Sequence, residues 1–227
     1  MSWWVHDQFE QGGIVWVFSW AFWVIASICL HELAHGWAAI ANGDQTPRTD
    51  GHMTINPVVH MGWTSLVFFA VAGIAWGLMP TNPAKYRNRR LGRVTVALAG
   101  PAMNLALALA CLTAATAWVW AVDTQRVDAA PHVATNVFHF LKVGGFLNLL
   151  LCAFNMLPVP PLDGSAVLGG LSPALDRFFM QPAVRMYGLL VVLFLFFTSV
   201  DVPLQRALVS AADGYMTWFL SVLPGGA

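Results

Sequence analysis

Charge is scarce in this 227-residue chain: only 10% of its residues are Asp, Glu, Lys or Arg. Soluble globular domains carry about 25%, so there is too little charge to coat a water-exposed surface, which excludes an ordinary soluble domain. Eleven basic and eleven acidic residues cancel, which removes any global attraction to nucleic acid, and no nucleic-acid partner is expected. Cysteine is rare too. Cys29, Cys111 and Cys152 form no Cys-x-x-Cys pair and all lie in apolar stretches. They read as small packing residues, not as disulfides or thiolate ligands. The first eleven residues hold no Lys or Arg, so a cleavable signal peptide, which needs a basic leading region, is not expected. No linker-like tract or internal repeat is visible, so a single membrane-embedded domain is expected over residues 1–227.

What the chain has in abundance is apolar surface. Apolar residues make up 58%, with eleven Trp and fifteen Phe, and the mean hydropathy is +0.64. These values fit an integral membrane protein with interfacial aromatic belts, its first partner being the lipid bilayer. A spanning helix needs about 20 largely apolar residues. Residues 13–41, 94–122, 133–157 and 183–200 meet that need, and residues 204–223 form a weaker fifth segment. Residues 62–79 are apolar but short, and parity favours a re-entrant hairpin there. If residues near His31 and residues near Asp163 share one site, the chain between the first two spans makes no net crossing. Arg48, Lys85, Arg87, Arg89, Arg90, Arg93, Arg177 and Arg185 then fall on the site side, and Arg126, Lys142 and Arg206 on the other. The positive-inside rule makes the site side cytoplasmic.

Inside the first span lies His31-Glu32-Leu33-Ala34-His35. Residues four apart share a helix face, so both imidazoles can bind one metal ion. Zinc takes His nitrogens and, in catalytic sites, keeps a position for water. Glu32 beside the ligands is placed to act as general base. A carboxylate and two imidazoles within an apolar helix are costly unless they coordinate, pair or reach a cavity. A third protein ligand is needed. Asp163 is the best candidate, following the proline-rich 158–161 at the end of a span; a turn residue in Asp163-Gly164 is the competing reading.

At this point the sequence resembles the site-2 proteases, intramembrane zinc metalloproteases, in a compact form without PDZ or other regulatory domains. The resemblance rests on His31–His35, then Gly100-Pro101-Ala102-Met103-Asn104, then Asn155-x-x-Pro158-x-Pro160-Pro161-Leu162-Asp163-Gly164. Thr54-Ile55-Asn56-Pro57-Val58-Val59-His60 resembles the family's membrane-entering loop. The resemblance implies that His31, His35 and Asp163 hold one Zn2+ per chain and that Glu32 activates water. It also implies that Asn155 lies beside the metal, stabilising an oxyanion or orienting substrate; the competing reading is that it satisfies carbonyls freed by the prolines. Asn56 and His60 join it as substrate or oxyanion candidates. Gly100, Pro101 and Asn104 read as packing residues near the site. Residues 54–59 are expected to form an edge strand to which an unwound substrate could add. The sequence departs from the family pattern at Met61-Gly62-Trp63, at Ala75-Trp76-Gly77-Leu78-Met79-Pro80, which lacks the usual Lys, and at Ser165. None of these departures removes a ligand.

The expected fold is therefore an all-α polytopic bundle of five to six membrane segments with a small membrane-entering β element. The catalytic core covers about residues 13–168, and accessory C-terminal helices cover about 183–223. The expected activity is hydrolysis of peptide bonds within or beside transmembrane segments of membrane-protein substrates. The resemblance implies a prokaryotic plasma (inner) membrane, with the site nearer the cytoplasmic side. The alternatives are a catalytically silent relative that binds membrane helices, or a membrane metal carrier. The intact Glu32 disfavours the first, and the scarcity of polar residues in the other spans disfavours the second.

Overall fold

The computed structural model describes residues 4–197 and 202–224. Their order is α1 (Trp4–Ala41), α2 (Thr46–Thr49), α3 (Pro57–Ala72), a 3-10 turn (Pro83–Lys85), α4 (Arg89–Asp123), α5 (Pro131–Asn155), α6 (Asp163–Leu171), α7 (Pro173–Phe179), α8 (Pro182–Phe197) and α9 (Val202–Val222). Three helices are long and apolar enough to cross a membrane: Gly12–Ala41, Arg89–Asp123 and Pro131–Asn155. They coincide with the first three spans expected from sequence. α1 kinks where Gly12 and Gly13 leave helical geometry, with Gly13 at φ 68°, a conformation open to glycine.

The other expected segments differ. α8 has 16 residues, a rise of about 24 Å, short of the roughly 30 Å of hydrocarbon in a bilayer. Residues 198–200 of that expected segment lie outside the described residues. α9 has 21 residues, but Gln205, Arg206 and Asp213 dilute its apolar run.

The chain packs as two compact units. The first comprises residues 4–25, 105–150 and 202–224. In it the Tyr215 and Thr113 hydroxyls meet at 2.7 Å, and the Trp120 indole donates to the Pro224 carbonyl at 3.0 Å. α9 therefore runs in the same direction as this part of α4. That reverses the expected placement of Arg206, which lies toward the Leu105 end of α4 and not the Asp123 end. Two tertiary hydrogen bonds set the direction, and hydropathy alone carries no such information.

The second unit comprises residues 26–104 and 151–197. α1 ends at Asn42-Gly43, where Gly43 takes φ 103° and turns the chain into a clamp built on Asp44. The buried Asp44 carboxylate accepts from the Asn82 N–H at 2.6 Å, from the Thr46 N–H at 3.0 Å and from the Thr46 hydroxyl at 2.5 Å. Burial pushes its pKa up, but these bonds and the Lys85 charge outweigh burial and hold it below the ordinary value.

The expected edge strand at 54–59 does not form, and no strand occurs among the described residues. Asn56 instead caps α3, its side chain accepting from the Val58 N–H at 3.0 Å, and Pro57 occupies the first helical position. Asn at the cap and Pro at N1 are strong helix-start signals and outcompete the β preference of two valines. α3 kinks at Gly62 (φ 67°) and ends at Gly73 (φ 73°). The chain then doubles back: Ser65 Oγ bonds both N and O of Trp76, and the Leu78 N–H donates to the His60 carbonyl at 2.9 Å. Residues 76–78 thus span the rise of residues 60–65, which requires an extended return. Residues 57–78 therefore form a hairpin that folds back on itself.

Candidate metal centre

All the residues of this site belong to the second unit. α1 presents His31 and His35 on one face, and the N-terminal part of α4 runs antiparallel to it. His31 Nδ1 lies 2.5 Å from Asn104 Oδ1, and His35 Nδ1 lies 2.6 Å from the Val96 carbonyl. Val96, Gly100 and Asn104 are spaced i, i+4, i+8, so one face of α4 addresses both rings. Gly100 is the point of closest approach. A methyl group there would lie 2.5 Å from His31 Nε2 and closer still to His35 Nε2, so only glycine lets α4 seat against the imidazoles.

Asp163 reaches the same point from α6. The chain leaves α5 at Asn155, turns through 158–161 with a cis peptide between Pro160 and Pro161, and enters α6 at Asp163. Gly164 lies so close to the carbonyls of Met156 and Leu157 that any side chain would collide with them, which explains the Asp-Gly pair without appeal to a surface turn. α6 is held against the start of α4 by Gly170 beside Val94, and α7, which follows it, is tied to the same stretch by the Arg93–Asp176 ion pair.

Three donor atoms converge: His31 Nε2 and His35 Nε2 are 2.9 Å apart, and they lie 3.2 Å from Asp163 Oδ2 and 3.4 Å from Asp163 Oδ1 respectively. His31 and His35 are buried, and the Asp163 side chain is 18% exposed. In a neutral imidazole only one nitrogen carries a proton. Both Nδ1 atoms face acceptor oxygens, so both Nε2 atoms offer lone pairs. Asp163 Oδ2 is buried with no hydrogen-bond partner. Bare nitrogens and a carboxylate gathered out of water repel unless a cation sits among them. One atom from each of the three residues falls within a 4.8 Å cluster, and this donor set is the His/His/carboxylate type that divalent zinc accepts. The residues fit a metal ion.

Glu32, also buried, is covered by the hairpin's return. A methyl group at Gly77 would lie 2.5 Å from Glu32 Oε1, so the backbone of residue 77 passes directly against this carboxylate.

Each remaining candidate makes one local bond. Asn155 donates to the Leu151 carbonyl at 3.0 Å, Asn56 caps α3, and the buried His60 bonds the Thr54 carbonyl through Nε2 at 2.5 Å. His60 thereby ties the base of the hairpin. Sequence reasoning gave Asn104 a packing role with a hydrogen bond to a neighbouring helix, and the structure supplies that bond to His31; it overlooked the Val96 carbonyl and Gly77. The i, i+4, i+8 spacing around Gly100 was the available signal for the Val96 carbonyl. Nothing local marked Gly77, whose contact depends on the hairpin folding back.

Comparison with known proteins shows the family of the chain. The family model for Peptidase family M50 matches residues 19–199, ending before α9. Over 176 residues the chain is 34% identical to "Putative zinc metalloprotease YwhC" of Bacillus subtilis (strain 168), covering 77% of this chain and 78% of that protein. It is 32% identical over 185 residues to "Putative zinc metalloprotease Rip2" of Mycolicibacterium smegmatis, covering 77% of this chain and 64% of that protein. A Rip2 protein of Mycobacterium tuberculosis (strain H37Rv) is also 32% identical, over 78% of this chain and 65% of its own length. The chain thus spans just under two thirds of these two mycobacterial relatives. No solved structure matches.

Proposed function

The chain belongs to peptidase family M50, the site-2 protease family, and on that premise we propose that it is an intramembrane zinc metalloprotease cutting peptide bonds within or next to transmembrane segments of membrane proteins. The observation that carries the reading is the convergence of His31 Nε2, His35 Nε2 and Asp163 with both Nδ1 atoms facing acceptors. His31, His35 and Asp163 hold one zinc per chain. Zinc in such a site supplies Lewis acidity toward a carbonyl oxygen and toward water.

The chain's own residues do the rest. Glu32 takes a proton from the attacking water onto its carboxylate as the new C–O bond forms. It returns that proton to the amide nitrogen as the C–N bond breaks, so the amine leaves neutral. The hydrophobic surround excludes bulk water and strengthens these electrostatic interactions. The substrate-pairing edge, first sought at 54–59, moves to the hairpin's return. Trp76 and Leu78 spend their backbone bonds on α3, and alternate residues of an extended chain point the other way. Gly77, without a side chain and beside Glu32, is the place where an unwound substrate backbone pairs. In this reading residues 13–168 form the catalytic core and residues 183–223 are accessory; the membrane is a prokaryotic plasma membrane, and the excess of basic residues in the loops on the site side supports a cytoplasmic-side site.

Zinc content of detergent-purified protein, together with cleavage of single-span model substrates in vesicles, tests the reading. About one zinc per chain is expected in wild type and Glu32→Gln, with loss in Asp163→Ala. Cleavage should fall by about 10²–10⁴-fold in Glu32→Gln. Zinc-free wild type after reconstitution would refute the metal reading, and zinc without any Glu32-dependent cleavage would leave a helix-binding relative.

A further inference from the structure

Both imidazoles are oriented by α4, but by different kinds of partner. His35 faces a main-chain carbonyl, which can only accept, so its Nδ1 carries the proton whatever residue stands at 96. His31 faces a side-chain amide, which has an accepting end and a donating end. With Asn104 Oδ1 turned to the ring at 2.5 Å, His31 is protonated at Nδ1 and bare at Nε2. With the amide reversed or absent, the proton moves to Nε2. There it would point at Asp163 Oδ2, 3.2 Å away, and at His35 Nε2, 2.9 Å away. A proton in that place occupies the position the three ligands share.

We propose that Asn104 is the positioning residue of the metal centre: its buried side-chain oxygen fixes His31 in the tautomer whose Nε2 is free, and so sets the affinity of the site for zinc. This rests on the zinc reading above. The side chain is fully buried, so water cannot substitute as the acceptor. The bond joins residues 73 positions apart and lies one turn beyond Gly100, whose missing side chain lets the ring come within reach. The Gly100-Pro101-x-x-Asn104 stretch thus acts as one device, in which glycine admits the rings and asparagine decides where one ring keeps its proton. Partners of this kind typically change metal affinity by about 10–100-fold when removed.

The test compares Asn104→Leu, of similar size but without an acceptor, with Asn104→Asp, which keeps an accepting oxygen. Each is measured by chelator competition for zinc in detergent and by the visible spectrum of the Co2+-loaded protein. Asn104→Leu should bind zinc about 10–100-fold more weakly with an altered cobalt spectrum, while Asn104→Asp stays near wild type in both. Wild-type affinity in a folded Asn104→Leu would overturn the proposal. So would an Asn104→Asp as weak as Asn104→Leu, because the role would then belong to packing or to the amide's other end. Failure of wild type itself to bind zinc would sink the underlying metal reading, an outcome distinct from either result.

Discussion

The metal-site side chains of one unit and two buried polar side chains of the other satisfy themselves in opposite ways. In the unit containing residues 105–150, Thr116 bonds the Leu112 carbonyl and Asn148 bonds the Gly144 carbonyl, each one turn back on its own helix. Lys142 and Asp213, the ion pair there, are 36% and 50% exposed. In the unit containing residues 26–104, His31 and His35 reach partners 73 and 61 positions away, and Asp163 arrives from a separate helix. A bond to the preceding turn satisfies a polar group wherever the helix goes. A bond across the fold holds only if several elements arrive together, and at this site they bring donor atoms to one point. Range alone does not mark function, since Asp44 reaches Asn82 and Thr113 reaches Tyr215; what sets this site apart is that several such partners meet at one point.

Gly100→Ala attacks the contrast at its strongest point. Its methyl group would press on both ring nitrogens, so zinc should be lost and cleavage with it, and overpacking should cost about 1–3 kcal/mol of stability. Retained zinc in that variant would mean that the rings are not gripped between α1 and α4. The Asp44 clamp, in the same unit but away from the metal, offers an intermediate case. Its depressed pKa contributes stability that is fully present above the unfolded carboxyl value of about 3.9 and is lost as pH falls through the lower folded value. Acid titration of thermal stability should show that loss, and Asp44→Asn should remove it. The variant should cost about 1–3 kcal/mol at neutral pH with zinc content unchanged. The smallest effect belongs to the other unit. Thr116→Val removes a bond to the helix's own backbone, so stability should change by no more than about 1.5 kcal/mol, and zinc affinity measured by chelator competition should not move. A zinc defect in Thr116→Val would erase the distinction between the two regions.

Legibility followed the same division. The three long spans were readable because twenty apolar residues in a row admit few alternatives. The fourth and fifth expected segments are helical as α8 and α9, but their described length or polarity keeps them out of the set of clear spans. The strand expected at 54–59 rested on valine preference, and a cap and a proline overrode it. His31, Glu32 and His35 were visible because helical periodicity alone puts them together. Asn155, Asn56 and His60 were singled out by motif; in the fold each makes one local bond, and the Nδ1 of buried His60 has no partner.

By itself the sequence determined that this is a membrane protein with two imidazoles and a carboxylate on one buried helix, because hydropathy and i, i+4 spacing are local properties. Only the tertiary structure decided which far residues complete the set. The approach of α4 at Gly100, the ring acceptors Val96 and Asn104, the arrival of Asp163 over Gly164 and the passage of Gly77 beside Glu32 all depend on distances between elements. No local pattern encodes those distances, since each is settled by how closely two backbones can pack.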